Sequence, residues 1–174
     1  MTKKEAFLVL DAVYGITGGS SAEIERCRDC KGCPCETLEA GEYVTLLPYE
    51  AEYIYNRLRN AGREHLASLV HKISEPGICP FLKQGRCSIH DVRPIDCRSY
   101  PMVPQFEGTK MHFAVSKMCP YWTEIGGQFV RLFKRAWLIL GPLLNEPWCK
   151  GYALRNQAPV ERVPVCTSRV DEVG

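Results

Sequence analysis

Ten cysteines in 174 residues, most of them gathered in two stretches, constrain this chain more than any other feature. The first stretch, IERCRDCKGCPCE, runs Cys27-x2-Cys30-x2-Cys33-x-Cys35. The second, CPFLKQGRCSIHDVRPIDCRSYP, holds Cys79, Cys87 and Cys97, and Cys119 follows further on, just before Pro120. Four thiols this close together close poorly around one zinc, whose tetrahedron usually takes pairs of ligands from separated segments. The C-x2-C-x2-C element is instead the spacing with which bacterial ferredoxins give three ligands to one 4Fe–4S cluster. Spacing therefore favours iron–sulfur and leaves zinc as the alternative. Pro34, Pro80 and Pro120 each stiffen the chain just beyond a cysteine, a feature common to both kinds of site.

What the thiols do depends on the compartment. The apolar run Ala6–Leu10 is shorter than the roughly 7–15 residues of a secretory core. Ala136–Leu144, between Arg135 and Asn145, is far shorter than the about 20 residues of a membrane helix. The expectation is a cytoplasmic protein without membrane insertion, where disulfides are rare and metal ligation leads. With 45% hydrophobic and 24% charged residues, the chain reads as one folded domain over 1–174. A net charge of +2 does not call for a nucleic-acid partner.

The rest of the chain predicts a mostly α fold with one short β-hairpin, built around the cysteine site or sites. A first helix spans Lys3–Tyr14, with Gly15 and the following Gly/Ser run as its end. Leu47–Gly62 reads as a helix with Pro48 in its first turn and Gly62 as its stop, and Glu64–Ile73 as a second. Gly85 supplies a turn that would fold Cys79 towards Cys87, and Asp91 is placed as N-cap of a short helix ending at Cys97. Met102–Phe106 and Lys110–Ser116 form the hairpin around Glu107-Gly108-Thr109. Thr123–Leu140 is the main core helix, with Phe129, Leu132, Phe133, Ala136, Trp137 and Leu140 on one face. Beyond Gly141 the prolines predict a tail that is mostly loop.

A CxxCxxC-type cluster paired with CPFL…GRCSIH…RPIDCRSYP resembles the YkgJ-type cysteine-cluster proteins, the CxxCxxCC domain, described as zinc- or iron-chelating. The resemblance covers roughly Cys27 to Pro120 and is strongest over Cys79–Pro101; LPYE, ending at Glu50, stands where the family has a helix-starting segment with a glutamate. It implies Cys27, Cys30, Cys33, Cys79, Cys87, Cys97 and Cys119 as ligands, and Arg93 and Arg98 as cofactor-side residues that hold the site in shape. Related modules in flagellin lysine N-methylases are thought to carry an iron–sulfur cluster. Two departures stand out: Pro34 splits the family's adjacent cysteine pair, which leaves Cys35 a candidate ligand outside the family's pattern, and His90 replaces a tyrosine at a C-x2-H spacing from Cys87 that could itself bind metal.

The other readings are plainer. Cys149 and Cys166, outside the pattern, are expected to be buried free thiols, and His65, His71 and His112 ordinary surface or core residues. Eight thiolates add eight negative charges and two dications return four, so the formal +2 would become −2. Arg26, Arg28, Lys31, Arg86, Arg93 and Arg98, interleaved with the cysteines, suit that field. Three functions follow. One is an iron–sulfur or zinc protein with a structural, electron-transfer or accessory role to a protein-modifying partner. Another is an iron–sulfur enzyme with an open cluster position and a pocket at Arg93, Asp96, Arg98 and Tyr100. The last is a structural zinc subunit of a larger assembly, meeting its partner through Trp148 and Tyr152.

Overall fold

A computed structural model describes residues 1–18, 44–75, 78–84, 86–108, 110–117, 119, 123, 125–155 and 160–162. Cys27, Cys30, Cys33, Cys35, Arg26, Arg28, Lys31 and Cys166 lie outside them. Helix α1 spans Lys3–Thr17 and opens with a capping box: Glu5 N donates to the Thr2 hydroxyl, and Thr2 N to the Glu5 carboxylate at 2.7 Å. It does not stop before Gly15. Tyr14 and Thr17 are buried on the core face, and the Thr17 hydroxyl donates to Val13 O at 2.7 Å, so packing carries the helix one turn further. A mid-helix glycine costs only about 1 kcal/mol against alanine.

Helix α2 covers Glu50–Asn60. Pro48 lies ahead of it rather than inside it, in a turn closed by Glu50 N donating to Leu47 O at 3.0 Å. Gly62 does end it, at φ +69°, with Gly62 N on Arg59 O and Arg63 N on Leu58 O, both at 2.9 Å. The expected second helix splits into α3, Glu64–Ala67, and a 3-10 turn over Val70–Lys72. A two-stranded hairpin then pairs β1 (Leu82–Lys83) with β2 (Arg86–Cys87).

Asp91 is not the cap of the cysteine helix. It sits in a 3-10 turn, His90–Val92, and Arg63 grips its carboxylate with two hydrogen bonds at 3.0 and 2.7 Å. Helix α4, Ile95–Ser99, starts after Pro94 and carries Cys97 at its centre. The larger hairpin forms where the alternation put it: β3 (Met102–Glu107) pairs with β4 (Lys110–Ser116), Pro104 facing Phe113, and Gly108 takes φ +64° in the turn.

Helix α5, Gly127–Leu140, buries Phe133, Ala136, Trp137 and Leu140, with Phe129 and Leu132 partly covered, so the expected face is the one that packs. It lies along α1. Of the expected loop tail, part of what is described is regular structure. Helix α6 spans Glu146–Arg155, and β5 (Val160–Arg162) adds a third strand beside β4. Trp148 and Tyr152, expected to face a partner, stack on each other at 5.0 Å and pack against Phe106 and Trp137. One hydrophobic cluster joins side chains from α1 to α5, and the fold is mostly α as expected. Among the described residues no helix is long and apolar enough to cross a membrane.

Candidate metal centre

The second cysteine segment is built by two local devices. Leu82 N donates to Cys79 O at 3.0 Å, which turns the chain into β1, and Leu82 then faces Cys87 across the hairpin. Ser88 N closes the hairpin on Phe81 O at 2.8 Å. Cys79 and Cys87 are half-buried and pack against the hydrophobic core. Cys97 follows on α4. Burial pushes its thiol well up, Asp96 adds to this, Arg93 opposes it, and Cys87 and Cys79 raise it further. Cys79 and Cys87 thus each lie within electrostatic reach of Cys97. Cys119 is buried just past β4, its N–H on Ser116 O at 3.3 Å. Cys149 is a buried free thiol on α6, as expected.

Soft sulfur donors of this kind suit zinc or an iron–sulfur cluster, and a neutral thiol held by burial must give up its proton to bind either. Among the described residues, however, no group of three or more Cys, His, Asp or Glu side chains is arranged to hold an ion.

The arginines of the motif do different work. Arg98 is 6% exposed, yet it is fully engaged by the protein. Its Nε donates to Arg93 O at 2.9 Å, its other nitrogens to Asp91 O and the Thr17 hydroxyl, and its guanidinium lies 4.3 Å from the Tyr14 ring centre. It ties the loop before α4 to α1. Arg93 donates to His90 Nε2 at 2.9 Å, so that nitrogen is an acceptor and is taken by an arginine rather than presented to an ion.

Sequence reasoning missed the internal bonding of two carboxylates, Glu50 and Asp96. Glu50 is fully buried, and three donors converge on it: Tyr14 OH at 2.9 Å and Ile95 N at 2.8 Å on Oε1, Leu47 N at 2.9 Å on Oε2. Burial raises its pKa to about 7 against the pull of these three donors. Asp96 accepts from Thr45 N at 2.9 Å and Tyr152 OH at 2.7 Å, and burial raises it too. An acid in the first turn of a helix reads as an ordinary dipole partner. Only the family's glutamate at LPYE hinted otherwise. Asp96 and Arg98, placed at first in a substrate pocket, are spent on internal bonds. A groove of about 240 Å³ lies elsewhere, lined by Ala51, Tyr55, Ala67, Val70 and His71 among others.

The fold and its thiols define a small, mostly helical cysteine-cluster protein. The chain belongs to the CxxCxxCC family, "Putative zinc- or iron-chelating domain", whose model matches residues 26–120 and so takes in both cysteine segments. Metal binding is the property that this membership gives the chain. No curated protein and no solved structure matches it.

Proposed function

We propose that Cys27, Cys30, Cys33, Cys79, Cys87 and Cys97, with Cys35 and Cys119 as further donors, ligate one or two metal centres, a 4Fe–4S iron–sulfur cluster in preference to zinc. The chain then serves a structural, electron-transfer or accessory role to a protein-modifying partner. The observation that carries this reading is that Cys79 and Cys87 each lie within electrostatic reach of Cys97, in a family whose match extends over the ferredoxin-spaced triplet. Such a cluster would supply one-electron chemistry or a rigid cross-link between the two segments. Arg93 offsets the negative charge of thiolates beside it, and Arg98 keeps α4 in place.

The test is a visible spectrum of anaerobically isolated protein, with iron, zinc and sulfide analysis. Broad visible absorbance with matched iron and sulfide supports the cluster, whereas a colourless protein with stoichiometric zinc replaces it by a zinc site. Cys87→Ser and Cys97→Ser should each lower the metal content. Unchanged occupancy in both removes the second segment from the centre.

A further inference from the structure

Each of the other long helices joins a cation to a carboxylate: Lys3 on α1 to Glu52, Arg57 on α2 to Asp11, Lys150 on α6 to Glu146. Helix α5 does not. Its sequence, GQFVRLFKRAWLIL, carries Arg131, Lys134 and Arg135 and no acidic residue. Among the described residues, none hydrogen-bonds or ion-pairs with any of the three. Arg131 and Arg135 are exposed and Lys134 is half-buried. Arg131, Arg135 and Leu138 follow at four- and three-residue steps and so share one face, on which Leu138 is 58% exposed. The stripe covers two turns, about 10 Å.

Nothing inside the fold favours such a stripe. Like charges three and four residues apart, as Arg131 stands to Lys134 and Arg135, repel and weaken a helix, and an exposed leucine leaves apolar surface in water. A local rule broken without an internal gain marks a place used for something else. We propose that this face of α5 docks an acidic protein segment, whose carboxylates meet Arg131 and Arg135, with Lys134 at the edge, and whose apolar side chain covers Leu138. The surface does not use the thiols, so it goes beyond the metal reading and stands apart from it.

Complementarity selects the occupant. A guanidinium fork fits a carboxylate with two parallel hydrogen bonds. A nucleic acid finds no ring to stack on: Phe133 and Trp137 are turned into the core, and Phe129 is partly covered and lies against Phe133. A lipid surface needs a broad apolar face, whereas Leu138 is the large apolar side chain that α5 exposes.

The experiment titrates isotope-labelled full-length protein with a synthetic peptide of glutamates and interspersed leucines, about 12 residues long to span the stripe, and with its lysine-for-glutamate counterpart. The acidic peptide should shift the amides of residues 128–138 and bind at least about 10-fold tighter than the basic one, and added salt should weaken it. The double variant Arg131→Glu, Arg135→Glu should reverse that preference, and Leu138→Ser should weaken the acidic peptide while keeping its salt dependence. Shifts confined to other surfaces, or a double variant that still prefers the acidic peptide, overturn the proposal. Tighter binding of an oligothymidylate of matched charge, or of phosphatidylserine vesicles, overturns it too and gives the face to another class of partner. Arg135→Gln separates docking from folding and decides alone if the double variant does not fold. Relieved of repulsion, it should bind the acidic peptide more weakly yet unfold at a midpoint no lower than wild type; a lowered midpoint assigns the cations to the fold and ends the proposal. Metal content enters none of these readouts, so the docking face and the metal centre fail separately.

Discussion

At the scale of single residues, the folded state is most exposed to pH at Glu50. Its pKa rises from 4.5 to about 7 on folding because burial outweighs three hydrogen bonds. A carboxyl raised in this way binds more protons in the folded state, so stability is highest below the unfolded value and falls as pH climbs from 4.5 to about 7. The shift corresponds to at most about 3 kcal/mol. Urea titrations between pH 5 and pH 8 should show this loss in wild type and a flatter profile in Glu50→Gln. Asp91 goes the other way: burial would raise it, but the hydrogen bonds and charge of Arg63 hold it below its ordinary value. Arg98 is the second sensitive residue. Arg98→Lys keeps the charge but loses the planar fork that reaches Arg93 O, Asp91 O and Tyr14 together. It should lower stability by about 2 kcal/mol, read as a shift of the denaturation midpoint.

At the scale of elements, the helix ends and the α1–α5 pair govern the outcome. Gly62 closes α2 with a positive φ that a Cβ strains, and nothing crowds the position. Gly62→Ala should therefore cost about 1 kcal/mol through backbone conformation alone, visible as a lower midpoint with an unchanged denaturant slope. In α5, Phe133→Ala empties a fully buried site and should cost about 3–5 kcal/mol. Trp137→Phe should cost clearly less. The indole N–H of Trp137 is buried without a partner among the described residues, and removing it offsets part of the lost packing. Comparing the two variants in one denaturation series checks the order. The β3–β4 hairpin and α5 were legible because their periods of 2 and 3.6 place apolar residues on one face each. Helix α6 was not: Pro142 and Pro147 suggested loop, yet Tyr152 and Trp148 lock it down through Asp96 and Leu46 O.

At the scale of the whole molecule, the metal and the fold are coupled by topology. The cysteine segments flank α2 and α3 in sequence, and Val44–Leu47 is bonded to Asp96, Glu50 and Trp148. A metal bound by the folded chain stabilises it by mass action. Stripping it with chelator at neutral pH should lower the unfolding temperature by several degrees and loosen the Val44–Leu47 amides first, as calorimetry and hydrogen exchange would report. An unchanged melting curve after complete metal removal would uncouple the two.

The sequence by itself determined the family, the mostly helical class, the position of the larger hairpin and the core face of α5. Each of these is written in local spacing: cysteine intervals, a two-residue alternation, a helical repeat. Only the tertiary structure decided that α1 runs past Gly15, that Arg98 binds backbone and a tyrosine ring, and that Glu50 is a buried acceptor and Asp96 a half-buried one. Those outcomes depend in part on partners far along the chain, such as Tyr14, 36 residues before Glu50, and Thr17, 81 residues before Arg98. A carboxylate on a helix looks the same in sequence whether water or three buried donors surround it; the difference is made by what the fold brings to its side.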